Sequence, residues 1–265
     1  MFDTYTTPEE FKEQNGYTYN GTWFPRVTKI VGIKSKPALL YYYAQAPDFK
    51  TANAQTKKSA EEGTLVHEVA EKILVGDVPV VPPSIAPSIY ALKQFLEDHD
   101  IEVVPEHVER RIINPVHRYA GTIDAMATIN GKFGVLDIKT SQAIYRDYDL
   151  QTSAYMDALI REPDFKKLET RWILRIDQIE KCLVCGASRR TKGGREKVRA
   201  AKVKNGSPFC RNGDHEWGPM EGDIELVECH NWQDDFEGFL GAKRLWEWEN
   251  TEWLRKIGYL KSSSF

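Results

Sequence analysis

Residues 121–141 read GTIDAMATINGKFGVLDIKTS. At the centre stand Asn130 and Gly131, an Asn-Gly pair between two apolar-rich runs, which predicts a tight β-hairpin with positive φ at both turn residues. A two-residue turn there sets Ala125 opposite Leu136 and Ile123 opposite Ile138 on one face. On the other face Thr122 opposes Lys139 and Asp124 opposes Asp137. Two carboxylates directly opposite each other lie roughly 4.5–5.5 Å apart and repel, so folding alone disfavours the arrangement. The apolar face packs, while the polar face collects charge.

Outward from this hairpin the chain reads as α/β. Its 265 residues are 41% hydrophobic and 28% charged, enough for one large core or two small ones. Residues 37–46 and 60–75 predict amphipathic helices, with Leu65, Val69 and Ile73 recurring at helical spacing. A proline-rich loop over 78–87 leads to a further helix over 88–98. Strands are predicted over 102–113, 119–129 and 132–140, then a helix over 147–160 and a strand over 171–178. A strand over 224–229 and one long Trp-rich helix over 233–256 complete the pattern, ahead of the low-complexity Ser262, Ser263 and Ser264. This order predicts a small mixed β-sheet flanked by helices, with one small inserted module. The start of the sequence lacks a basic, apolar signal segment, and no run of about 18 apolar residues occurs, so a cytoplasmic protein without a membrane span is expected.

The paired carboxylates have a chemical reading. Left alone, one of the two would take up a proton, whereas a divalent cation between them keeps both ionised. Hard oxygen ligands favour Mg²⁺ or Mn²⁺, and such an ion can activate water and stabilise charge on a phosphate. Lys139, two residues from Asp137 on the same strand face, suits the same negative transition state. Charged residues on one hairpin face are also the ordinary solvent side of a sheet, and the flanking motifs decide between the two.

Those motifs carry a resemblance. G-T-L-V-H at 63–67, G-T-I-D at 121–124, D-I-K at 137–139 and Q-T-S-A-Y at 151–155 resemble, in order, the PD-(D/E)XK nucleases of the RecB-like branch, which includes Cas4-like and phage-type exonucleases and the mitochondrial genome maintenance exonuclease. The segment TWFPRVTKIVGIKSKPALLYYYAQ at 22–45 is similar to the region before the first helix of phage-type members. The likeness spans roughly residues 22–160. It implies that Asp124, Asp137 and the main-chain carbonyl of Ile138 are ligands of a catalytic Mg²⁺ or Mn²⁺, with His67 a further ligand. It also implies that Lys139 orients the attacking water, that Gln151 and Tyr155 position the substrate or the lysine, and that Glu109 has a less defined part. One departure is Ile123 where the superfamily name has proline, a residue this branch commonly lacks.

The four cysteines suggest a second metal. Cys182 and Cys185 form C-x₂-C, and Cys210 with His215 follows after a 24-residue gap, a spacing suited to tetrahedral structural Zn²⁺. Cys229 competes with His215 for the fourth position. No cysteine precedes position 182, so the iron–sulfur pattern of some RecB-like relatives is absent. The module is expected over 180–217, between nuclease-domain segments 1–179 and 218–265. Residues 188–204 carry eight Lys/Arg against one Glu within a chain of net charge −3. This run reads either as a solvated loop or as an arm whose Arg189, Arg190, Lys192, Arg195, Lys197 and Arg199 follow a DNA backbone. Trp232, Trp246, Trp248 and Trp253 read chiefly as core packing, with base stacking as the alternative. The expected activity is metal-dependent exonucleolytic cleavage of DNA at ends or single strands. A non-catalytic DNA-binding subunit and a structure-specific or restriction-type endonuclease are the other readings of the same residues.

Overall fold

A computed structural model describes residues 5–201, 210 and 213–261. Ser262, Ser263 and Ser264 and the basic residues Lys202 and Lys204 lie outside the described residues. The chain opens with α1 (Pro8–Asn15), the hairpin of β1 (Gly16–Tyr19) and β2 (Thr22–Pro25), and helices α2 (Val27–Val31) and α3 (Pro37–Gln45). Helix α4 (Phe49–Leu74) and helix α5 (Ala86–Asp98) precede five short strands: β3 (Ile101–Val103), β4 (Arg110–Asn114), β5 (Tyr119–Ile123), β6 (Ala125–Ile129) and β7 (Lys132–Lys139). Then come α6 (Asp147–Leu159), β8 (Thr170–Cys182), β9 (Ser188–Lys192), β10 (Arg195–Arg199), β11 (Trp217–Cys229), α7 (Trp232–Glu249) and α8 (Thr251–Lys256).

The architecture is mixed α/β. A seven-stranded mixed sheet runs β10-β9-β8-β7-β6-β3, with β11 also paired to β8. Strand β7 lies between antiparallel β6 and parallel β8, and residues 134–138 are buried. Its apolar sequence suits that double-sided burial, and α6 supplies the crossover that a parallel pair requires. Two apolar clusters cover the two faces. Val135 and Met126 pack with Tyr155 of α6, Phe236 and Phe239 of α7, and Phe11 of α1. Leu136, Ile138 and Leu174 pack with Val66, Val69 and Ala70 of α4 and Ile89 and Leu92 of α5. At ~1.5–3 kcal/mol for each large apolar side chain buried, these layers drive the fold.

The Asn130-Gly131 turn has φ of 51° and 77° and sets Ile129 opposite Lys132 and Ala125 opposite Leu136, as the spacing predicts. The expected pairing stops there. The predicted strand over 119–129 is two strands divided at Asp124, and Thr122 and Ile123 pair with Arg111 and Arg110 of β4 rather than with Lys139 and Ile138. Asp124 is therefore not Asp137's partner in the strand register. The chain leaves the main sheet at this residue, where its carbonyl accepts the Glu109 amide at 3.0 Å. The predicted strand over 102–113 is likewise divided into β3 and β4 by a 3₁₀ turn at Pro105–His107.

Helix α4 begins eleven residues before the predicted start, capped by Asp48, whose side chain accepts the Thr51 amide at 2.7 Å. Strands β8 and β11 extend beyond their predicted ends toward each other's termini, pairing Arg171 with Cys229 through to Cys182 with Trp217. The long C-terminal helix breaks at Asn250, whose side-chain amide donates to the Trp246 carbonyl at 2.8 Å. Trp246 is buried and Trp253 stacks on Phe11 with ring centroids 5.7 Å apart, while Trp248 is 72% exposed. Among the described residues no helix is long and apolar enough to cross a membrane.

Candidate functional site

The parallel β7–β8 pair ends beside a cleft, and the residues singled out by sequence gather at the carboxyl end of β7. Strand alternation puts Val135, Asp137 and Lys139 on one face, so a charged pair follows a core residue. Asp137 is fully buried. Its Oδ1 accepts from Gln151 Nε2 at 2.9 Å, and its Oδ2 lies 2.5 Å from the Lys139 ammonium. That Oδ2 receives no hydrogen bond of good geometry, so a buried anionic oxygen depends on one cation alone. Gln151 also lies 2.9 Å from the Tyr155 hydroxyl, which sits one turn along the same face of α6.

Asp124 holds its place by another device. Its Oδ2 accepts the Ile138 amide at 2.6 Å, filling the bond left open where β5 departs from the sheet. Asp124 thus reaches β7 at the residue next to Asp137, without the strand-to-strand opposition that the hairpin pattern predicts. Burial raises both carboxyls to about 6, against which Lys139 pulls them down. Burial disfavours the Lys139 ammonium, yet Asp137 and Asp124 outweigh it and hold that group charged. His67, from α4, is driven down to about 4 by burial and then by Lys139, so its ring is neutral at neutral pH.

Glu109 is exposed, in a left-handed backbone conformation with φ of 52°, in the turn before β4 rather than in a strand. It lies against Glu71, a residue the sequence reading missed. Burial and then the charges of Glu109 and Asp124 raise Glu71 to about 7. The available signal was its position four residues after His67, which puts both on one face of α4.

The cleft is a cavity of about 730 Å³ onto which His67 and Lys139 open. Tyr42, Tyr145 and Tyr148 line it, together with Lys34, Lys36 and four of the six predicted arm residues, Arg190, Lys192, Arg195 and Lys197. Of the other two, Arg189 pairs with Glu180 at 2.7 Å and covers the Trp217 ring, and Arg199 donates at 3.3 Å to the carbonyl of Gln142, itself a lining residue.

Beyond the end of β8, Cys182, Cys185, Cys210 and His215 bring their ligand atoms within 4.8 Å of one another. Cys182 Sγ lies 3.6 Å from Cys210 Sγ, and Cys185 Sγ lies 3.4 Å from His215 Nδ1. Burial pushes the Cys182 thiol toward protonation, but the amides of Cys185 and Val184 and the His215 ring outweigh it and favour thiolate. A Cys₃His set of this closeness can hold a metal ion such as zinc. Cys229 stands apart on β11, opposite Arg171, its thiol pushed up to about 12 by burial and by Asp149, so His215 completes the cluster. Among the described residues this is the one group so tightly gathered; His67, Asp124 and Asp137 are not.

Fold and site together define a mixed α/β protein with a mixed sheet, a buried carboxylate–lysine centre and a Cys₃His cluster. No protein-family model and no curated protein matches the chain. A solved structure described as the crystal structure of SSO0001 is similar over 94% of this chain and 92% of that one, at 14% identity and a TM-score of 0.31.

Proposed function

We propose that this protein is a divalent-metal-dependent DNA nuclease of the PD-(D/E)XK kind, cleaving phosphodiester bonds from DNA ends or in single strands. The observation that carries the reading is the convergence of Asp124, Asp137 and Lys139 at the carboxyl end of β7, beside His67, with Lys139 and His67 opening onto a cavity whose charged walls are almost wholly basic. The donor set fits a hard cation. Asp124 keeps one carboxylate oxygen free of the Ile138 amide, Asp137 Oδ2 lacks a hydrogen bond, and the His67 ring is neutral.

Asp124, Asp137, His67 and the Ile138 carbonyl would hold Mg²⁺ or Mn²⁺, which supplies an activated water and neutralises charge on the scissile phosphate. Lys139 keeps its proton in this setting and presents it to the oxygen on which negative charge develops. Gln151 fixes the rotamer of Asp137 and lies against the Tyr155 hydroxyl, whose proton burial retains. Lys34 and Lys36, the latter 3.6 Å from Asp147, line the same cavity and offer positive charge to flanking phosphates.

The test is cleavage of end-labelled DNA with Mg²⁺ or Mn²⁺, comparing linear with covalently closed substrates to separate exonuclease from endonuclease. Asp124→Asn and Asp137→Asn, each near-isosteric, are expected to abolish cleavage while leaving a cooperative fold. Full activity in either variant overturns the mechanism.

A further inference from the structure

The basic hairpin stands where it does because of how β8 spends its two edges. On one edge β8 pairs with β11 along nearly its whole length. The other edge pairs with β7 only from Thr170 to Arg175. Past the end of β7 that edge is taken over by β9, through Glu180 opposite Arg189 and Lys181 opposite Ser188. Because β7 and β8 are parallel, the hairpin β9–β10 must emerge beyond the carboxyl end of β7, at the mouth of the cleft.

Contacts then close it onto the site. Arg190 donates to the Thr140 carbonyl at 3.0 Å and Lys192 to the same oxygen at 2.5 Å, one residue after Lys139. At the tip, Gly193 donates its amide to Glu62 of α4 at 2.8 Å, and a Cβ there would come within 2.4 Å of the Gln55 carbonyl. Opposite, Gly63 lies so near Thr140 that a Cβ would meet its hydroxyl at 2.7 Å.

The hairpin's register sets Lys192 against Arg195 and Lys197 against Arg190, so four cations share one face in like-charge pairs. Such pairs are unfavourable in themselves. Lys192 is held down to about 8 by burial and by Arg190, and Lys197 is lowered by burial and by Arg199 and Arg195. A face of this kind is completed by a polyanion. At its base, two strand pairs and the ion pairs Arg189–Glu180 and Arg190–Asp177 join the hairpin to β8. What remains at the base is the Cys₃His cluster, with Cys182 closing β8 and Cys185 in the short connection to β9.

We propose that a metal ion bound by Cys182, Cys185, Cys210 and His215 fixes the β9–β10 hairpin as the basic wall of the cleft, so that loading of this cluster sets the affinity of the cleft for a nucleic-acid backbone. The identity of the polyanion rests on the nuclease reading above; the coupling between the cluster and the wall does not. Lys192 and Lys197 are the direct backbone contacts, and Arg190, spent on Asp177 and Thr140, is a positioning residue.

The experiment uses the full chain carrying Asp137→Asn, without Mg²⁺ or Mn²⁺, and a fluorescein-labelled single-stranded oligonucleotide read by anisotropy over a range of salt. Zinc-loaded protein is compared with protein stripped of zinc and with the same protein reloaded. Stripping is expected to weaken binding at least tenfold and to flatten the salt dependence, and reloading to restore both. A Lys192→Gln, Lys197→Gln variant is expected to retain one zinc while losing affinity, its log–log salt slope lower by about 0.7 for each phosphate contact removed. Unchanged affinity on stripping, or unchanged affinity and slope in the double variant, overturns the proposal. If the wild-type protein cleaves nothing with any divalent metal but zinc still controls binding, the nuclease reading fails and this inference stands.

Discussion

Two clusters of side chains of metal-ligating type stand near the ends of neighbouring strands, β7 and β8, and they are built in opposite ways. The Cys₃His set comes from a C-x₂-C turn and a distant Cys/His pair, and its ligand atoms already lie within 4.8 Å of one another. The carboxylate set is drawn from three separate elements and is not gathered so closely; each aspartate is fixed instead by a protein donor, the Ile138 amide or Lys139 with Gln151. The contrast is one of charge accounting. The sulfurs are brought together by chain geometry, with the Cys185 and Val184 amides and the His215 ring favouring thiolate at Cys182. Buried carboxylates must be stabilised before a cation arrives, and an ammonium and an amide supply that stability.

The sharpest way to break this contrast is at the ammonium. Lys139→Met should lower cleavage by roughly 10²–10³-fold, the usual cost of removing one donor to developing transition-state charge. A single-turnover rate within threefold of the parent would show that Lys139 only balances the aspartates. Next in size is a pH effect on stability. Asp137 has a folded value near 6 against an ordinary 3.8, so the folded chain binds this proton more tightly than the unfolded chain does. That contribution is fully present below about pH 4 and is lost as the pH rises through about 6. In chelator, Asp137→Asn should therefore lose less stability than the parent between pH 4 and 7, by about 3 kcal/mol at most. Urea unfolding at each pH measures it, and parallel curves for the two proteins would remove buried charge as the organising feature.

A smaller loss is expected at the aspartate's other support. Gln151→Ala removes the donor to Asp137 Oδ1, and outer partners of ligands commonly contribute ~10–100-fold. The readout is the Mg²⁺ concentration needed for half-maximal cleavage, which should rise; a change in turnover alone would assign Gln151 to the substrate instead. The smallest effect tests the thiol cluster's boundary. Cys229→Ser should leave the zinc content measured by elemental analysis unchanged, whereas Cys185→Ser should lower it. Equal losses would return Cys229 to the candidate ligands.

How much of this was written in the sequence depends on which force fixes each element. The hairpin register followed from Asn130-Gly131 and the apolar alternation around it, because turn chemistry and one buried face determine pairing locally. The break at Asp124 did not, since it depends on where β4 draws β5 away, a contact between distant segments. The first eleven residues of α4 lack an apolar stripe because they border the cleft rather than the core. The far halves of β8 and β11 were hidden for a related reason. They are joined by ion pairs such as Arg175 with Asp223 and Glu225, and Lys181 with Glu221, rather than by alternating apolar residues. Within the site, Asp137, Lys139 and Gln151 were legible as a set, while Glu71 lacked any motif and is marked only by the carboxylates around it.

The outermost strand of the sheet adds a last consequence. All five residues of β10 are exposed, and among the described residues no strand pairs with its outer edge. Arg195, Lys197 and Arg199 make that edge hostile to another copy of itself, since two such strands would bring their cations together. The charge that suits the arm to a phosphate chain therefore also keeps the sheet from growing by one strand at a time into an aggregate.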